Sequence, residues 1–145
     1  MFVVDTNILI HAAVEESTAH MSARSVISEW RDGAELWFGT WPIFYEFLRV
    51  TTHRRVFREP FTFKESWRFL EALLAAPSFD ILVQTDRHAE IVRDLSADVS
   101  WVSGNLMHDL HTAAIMKEHG IAEIRTTDTD FRKFAFLRVV DPLAA

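Results

Sequence analysis

Five carboxylates hold the chemistry that this sequence offers. Asp5 directly follows the apolar run Phe2-Val3-Val4, Glu46 lies in FYEFLRV, Asp109 lies in HDLHTAAIMKEHG, and Asp128 and Asp130 lie in TTDTDF. Carboxylates brought close together repel and raise one another's pKa, a conflict that a divalent cation removes. The chain has no cysteine, and an oxygen-only donor set suits Mg²⁺ or Mn²⁺ rather than zinc. One or two such ions can activate water and stabilise charge growing on a phosphoryl group. Taken singly, each acid has an ordinary role open to it. Asp5 could merely cap a helix, Glu46 and Asp109 could be plain helix residues, and Asp128 and Asp130 could be turn formers. The joint reading depends on the elements that position them.

Short β-rich runs alternate with longer helical ones, which predicts an α/β fold with a mainly parallel sheet and helices on both faces. Strands are expected at 2–4, 36–40, 81–83, 121–126 and 137–140. Asp5-Thr6-Asn7 offers capping side chains to a first helix reaching about residue 14. A second helix, over 18–31, has Met21, Val26, Ile27 and Trp30 at helical spacing, with Gly33 as a stop. Pro42 suits a first helical turn, and Ile43, Phe44, Phe47 and Leu48 form an apolar stripe behind it. Thr62-Phe63-Lys64-Glu65 is a capping box ahead of Trp67, Leu70, Leu73 and Leu74. Asp86 is expected to cap a helix carrying Ile91, Val92 and Leu95, and a last helix over 106–119 stops at Gly120. In such sheets ligands bind at the carboxyl ends of strands. Asp5, Asp128 and Asp130 follow strands, and Glu46 sits about one turn into the helix after 36–40. Asp109 sits early in its helix and leans toward that helix's N-terminus. All five acids therefore fall near one sheet edge.

The chain of 145 residues is 49% hydrophobic and 25% charged, as expected of a single domain spanning 1–145. At this length folding buries roughly 70% of the unfolded surface, so no staples are needed. Absent cysteine also suits a reducing, cytoplasmic setting. No apolar run reaches the ~20 residues of a spanning helix, and Asp5 with no basic start argues against a signal peptide. The balance of 15 basic to 21 acidic residues gives net charge −6. A chain-wide electrostatic nucleic-acid binder should be basic, so any contact with nucleic acid needs a local patch or bound cations.

FVVDTNILI, FYEFLRV, HDLHTAAIMKEHG, IRTTDTDFRKF and LRVVDPL resemble, in order and at the family's length, the PIN-domain ribonucleases, and most closely the VapC toxins of VapBC toxin–antitoxin pairs. The resemblance implies a five-stranded parallel sheet, Mg²⁺-dependent cleavage of RNA, a homodimer, and inhibition by a cognate VapB-type antitoxin. It implies Asp5, Glu46 and Asp109 as core acids, with Asp128 favoured over Asp130 as the fourth. By the same resemblance Asp5, Asp109 and Asp128 hold the metal, and Thr6 and Asn7 orient Asp5. No core acid is missing, so the sequence does not carry the mark of a PIN fold reduced to a binding module. A PIN nuclease with a housekeeping role in RNA processing is the enzyme alternative.

Arg49, His53, Arg54, Arg55 and Arg58 form the densest basic run, and Glu46, Arg49 and His53 share one helical face. That face is a candidate path for an RNA phosphate, against the plainer role of a solvated helix face. Arg125, Arg132, Lys133 and Arg138 are a weaker second candidate. His108 and His111 are three apart with no glutamate between them, unlike the HExxH zinc pattern; His108 is next to Asp109 and so a candidate neighbour of the site, with a surface position the plainer expectation. Five tryptophans and twelve phenylalanines are mostly core. Some in the stretch 56–69 are available to a partner. A haloacid-dehalogenase-type phosphatase needs a second aspartate where Asn7 stands, and a receiver domain needs an acidic pair after strand one; both fit poorly.

Overall fold

A computed structural model of the chain describes residues 1–99 and 103–144; Trp101, one of the five tryptophans, lies outside them. Five strands, β1 (Phe2–Val4), β2 (Trp37–Gly39), β3 (Phe79–Ile81), β4 (Glu123–Arg125) and β5 (Arg138–Val140), form one sheet in the order β3-β2-β1-β4-β5. Every neighbouring pair is parallel, with Phe2 opposite Trp37 and Val3 opposite Ile124. The expected strands at 36–40 and 121–126 shorten to their central residues, and the one at 137–140 loses only Leu137. The strand expected at 81–83 lies two residues earlier. Its ladder is anchored by Trp37 N–H donating to Ser78 O and Leu82 N–H donating to Gly39 O. Phe79, packed against Trp37 and Phe44, supplies the buried side chain. A Cβ on Gly39 would come within 3.1 Å of the Phe79 ring, so that close approach needs glycine.

The sheet grows from β1 through β2 to β3, and then the chain returns to place β4 on the other side of β1. This reversal makes the gap between the ends of β1 and β4 the switch point of the fold, where α/β sheets open a crevice. The helices α1 (Thr6–Ala13), α2 (His20–Asp32), α3 (Trp41–Thr51) and α4 (Phe63–Leu74) pack on one another, and α5 (His88–Asp98) packs on α6 (Leu106–Glu118). Right-handed crossovers in opposite directions put these two groups on opposite faces. A 3-10 turn, Thr129–Lys133, follows β4. Among the described residues no helix is long and apolar enough to cross a membrane.

Local chemistry sets the helix ends. Asp5 caps α1 by accepting from Thr6 N–H. Thr40 caps α3, with Pro42 in its first turn, and Thr62 and Glu65 close a reciprocal box at α4. α6 stops at Gly120, whose φ of +67° favours glycine. Asp86 does not cap α5. Thr85 does the turn's work instead, accepting from Arg87 N–H through its hydroxyl and from His88 N–H through its carbonyl. The α3 stripe Ile43, Phe44, Phe47 and Leu48 is wholly buried. α2 turns Ala23 and Ile27 inward and leaves Met21 in solvent, because the helix begins at His20 and Met21 lies off its buried face. Leu74, at the end of α4, is likewise exposed.

Candidate active site at the carboxyl edge of the sheet

Asp5 leaves the end of β1 and is held on three sides. Its Oδ1 accepts from Thr6 N–H at 2.8 Å; its Oδ2 accepts from the Thr126 hydroxyl at 2.7 Å and from Asn7 Nδ2 at 3.3 Å. Asp5 N–H donates to Arg125 O, joining the ends of β1 and β4. Thr6 thus orients Asp5 through its backbone, while its hydroxyl donates to Ile43 O and ties α1 to α3. Thr126, buried just past β4, uses its hydroxyl fully. It donates to Asp5 and accepts from Asn7 Nδ2 at 3.0 Å and from Asp128 N–H at 2.9 Å. Asp128 then accepts from Asp130 N–H and caps the 3-10 turn.

Asp109 comes from the first turn of α6 and is buried. One carboxylate oxygen from each of Asp109, Asp128 and Asp130 lies within 4.8 Å of the others. A cleft of about 210 Å³ adds Asp5, Asn7, Glu46 and His108 to Asp109 and Asp128. A larger one of about 530 Å³ brings in Arg49 and Asp130. All five carboxylates from the sequence therefore line one connected region. His108, expected at the surface, is half-buried and lines both clefts, because it precedes Asp109 on the turn of α6 that faces the sheet edge.

The electrostatics of the region follow from burial and repulsion. Burial raises the Asp5 carboxyl pKa, although bonds from Thr126 and Thr6 oppose the rise. Burial, and then the charges of Asp128, Asp5 and Asp130, push Asp109 up to about 7. Glu46 moves the other way, because Arg49 binds it with both arms of its guanidinium, at 3.0 and 2.6 Å. The cluster is thus short of positive charge around Asp109, and every nearby carboxylate donor is a hard oxygen. That donor set fits a divalent ion of the Mg²⁺ class.

Of the basic candidates, Arg49 and Lys133 reach the acidic region, Lys133 pairing with Asp130 at 3.6 Å. His53 accepts from Arg55 N–H and, with Arg54 and Arg55, lies exposed on the loop beyond α3. Arg125 belongs to a different structure: it stacks 3.5 Å over the Phe2 ring and pairs with Glu123 and Glu35.

A family model, PIN domain, matches residues 2–137. This chain belongs to the PIN-domain family. Two full-length relatives of this PIN domain come from Mycobacterium tuberculosis. Ribonuclease VapC48 is 31% identical over 140 residues, covering 97% of this chain and 96% of its own. Ribonuclease VapC43 is 33% identical over 143 residues, covering 99% and 96%. The crystal structure of VapBC2 from Rickettsia felis, bound to a DNA fragment from its promoter, has the same fold. It matches with a TM-score of 0.68 at 13% identity and covers 96% of each chain.

Proposed function

We propose that this PIN domain is a Mg²⁺-dependent endoribonuclease, with Mn²⁺ able to substitute, and the toxin of a VapBC-type pair acting in the cytoplasm. The observation that carries the reading is the convergence of Asp109, Asp128 and Asp130 within ligand distance, beside Asp5 and Glu46, at the switch point of the sheet. Full-length relatives named as ribonucleases support the same reading.

Asp109, Asp128 and Asp130 are the residues that would hold the ion, with Asp5 lining the smaller cleft beside Asp109 and Asp128. When bound, Mg²⁺ supplies the positive charge that activates water and stabilises the phosphoryl group under attack. Asp5 is kept in one orientation by Thr6, Asn7 and Thr126, so its carboxylate needs no reorganisation during the reaction. Glu46, half-exposed at the rim, is placed to accept a proton from water in the cleft. Arg49 offers a cation for an RNA phosphate, with His53, Arg54 and Arg55 extending a basic path along the loop after α3.

The same acidic region accounts for inhibition. An antitoxin arginine inserted there would pair with Glu46 or Asp109 and exclude RNA. Exposed Trp41, Tyr45, Val56 and Phe63 offer apolar surface for a homodimer and for the antitoxin. Light scattering at micromolar concentration should give a dimer. RNA ends mapped after brief induction should show new cuts with the wild type and none with Asp5→Asn. Identical end maps for the two proteins would refute the assignment. An upstream neighbour that neither binds the protein nor protects cells from it would favour the housekeeping role.

A further inference from the structure

Arg49 and Glu46 sit one turn apart on α3 and are locked together by two hydrogen bonds, Nε to Oε2 at 3.0 Å and Nη2 to Oε1 at 2.6 Å. The pair lines the larger cleft together with Asp109 and Asp128. A planar guanidinium holding two oxygens of one carboxylate makes the contact that it would make to two oxygens of a phosphate. The two anions therefore compete for one fork. The side chains of Arg49 and Glu46 are 61% and 37% exposed, and ion pairs so open to water add little net stability. Exchange of partner is therefore cheap. The pair also turns both Glu46 oxygens toward Arg49 and, by holding the carboxylate's charge on the guanidinium, weakens it as a base for water in the cleft.

We propose that Arg49 is a two-position residue: it grips Glu46 while the cleft lacks RNA, then moves to a backbone phosphate when single-stranded RNA enters, which frees the Glu46 carboxylate for the reaction centre. This rests on the ribonuclease reading and adds to it a contact through which the substrate itself completes the site. It also explains how a chain of net charge −6 presents a cation beside its acids without leaving that cation unpaired in the resting state. Arg49 is a substrate-binding residue, and its effect on catalysis passes through Glu46.

The test is a double-mutant cycle on RNA binding. It is measured by fluorescence anisotropy with a short unstructured RNA, in protein that also carries Asp5→Asn so that the RNA stays intact. Arg49→Ala should weaken binding about tenfold and lower the slope of log affinity against log salt by about one. Glu46→Gln should tighten binding about threefold, because it releases the fork. That gain should vanish when Arg49→Ala is also present. A gain that persists in the Arg49→Ala protein would come from lost negative charge alone and would overturn the proposal, as would unchanged binding in Arg49→Ala. Wild-type protein that cleaves RNA beside a flat cycle sinks only this inference. Protein that neither binds nor cuts RNA sinks the ribonuclease reading with it.

Discussion

At Thr126 a single buried hydroxyl sets the positions of three other groups: the Asp5 carboxylate, the Asn7 amide and the backbone of Asp128. Valine has nearly the same shape but leaves those partners unpaired, at about 1–3 kcal/mol for each buried polar group so exposed. Thr126→Val should therefore cut RNA cleavage at least tenfold, while Thr126→Ser, which keeps the hydroxyl, should stay within about threefold; steady-state cleavage rates check both. The acids could be grouped from the sequence because each falls near the same predicted sheet edge, after a strand or early in a helix beside one. Thr126 was not, since a threonine in a β-rich run is commonplace. Its role exists only once β1 and β4 lie side by side and bring residues 121 positions apart into contact. The sequence marks His108 as a neighbour of Asp109 with the surface as its plainer place, because nothing in its local spacing says which way the first turn of α6 faces.

Among the elements, those closed by local chemistry matched the sequence best. Thr62 and Glu65 bond reciprocally across the start of α4, the arrangement their spacing predicts. Thr62→Ala should lower stability by about 1 kcal/mol with cleavage unchanged; urea unfolding followed by circular dichroism measures it. Elements fixed by distant partners were read less well. The run Ile81-Leu82-Val83 has the composition of a strand, yet β2 pairs Trp37 with Phe79 and ends with Gly39 opposite Ile81, and a register set by another strand is invisible locally. The same holds for the helix starts at His20 and His88, where no side-chain cap marks the boundary. The switch in strand order, which puts β4 beside β1, is a property of the crossovers and not of any one segment.

At the scale of the whole molecule, the fold concentrates like charge at one edge of its sheet. Asp109 titrates near 7 in the folded protein against an ordinary value of 3.8, and Asp5 is also raised. An acid whose pKa is raised by folding favours the fold while protonated. That contribution is complete below the unfolded value and is lost as pH rises through the folded one. The metal-free protein should therefore lose melting temperature between about pH 5 and pH 8. Added Mg²⁺ should raise the melting temperature more at pH 8 than at pH 5, because ligands must be deprotonated to bind it. Asp109→Asn should flatten both trends; thermal melts at several pH values, with and without Mg²⁺, provide the check. The reaction proposed for this edge is hydrolysis of RNA with a bound divalent ion. Its most direct test is cleavage of a single-stranded RNA by purified protein shown free of contaminating nuclease, in Mg²⁺ and in EDTA, with Asp5→Asn beside the wild type. The wild type should cleave in Mg²⁺ alone, and Asp5→Asn should lose at least about a hundredfold, roughly 3 kcal/mol of transition-state stabilisation. Asp5→Asn activity within threefold of the wild type, or equal cleavage in EDTA, would contradict the proposed reaction.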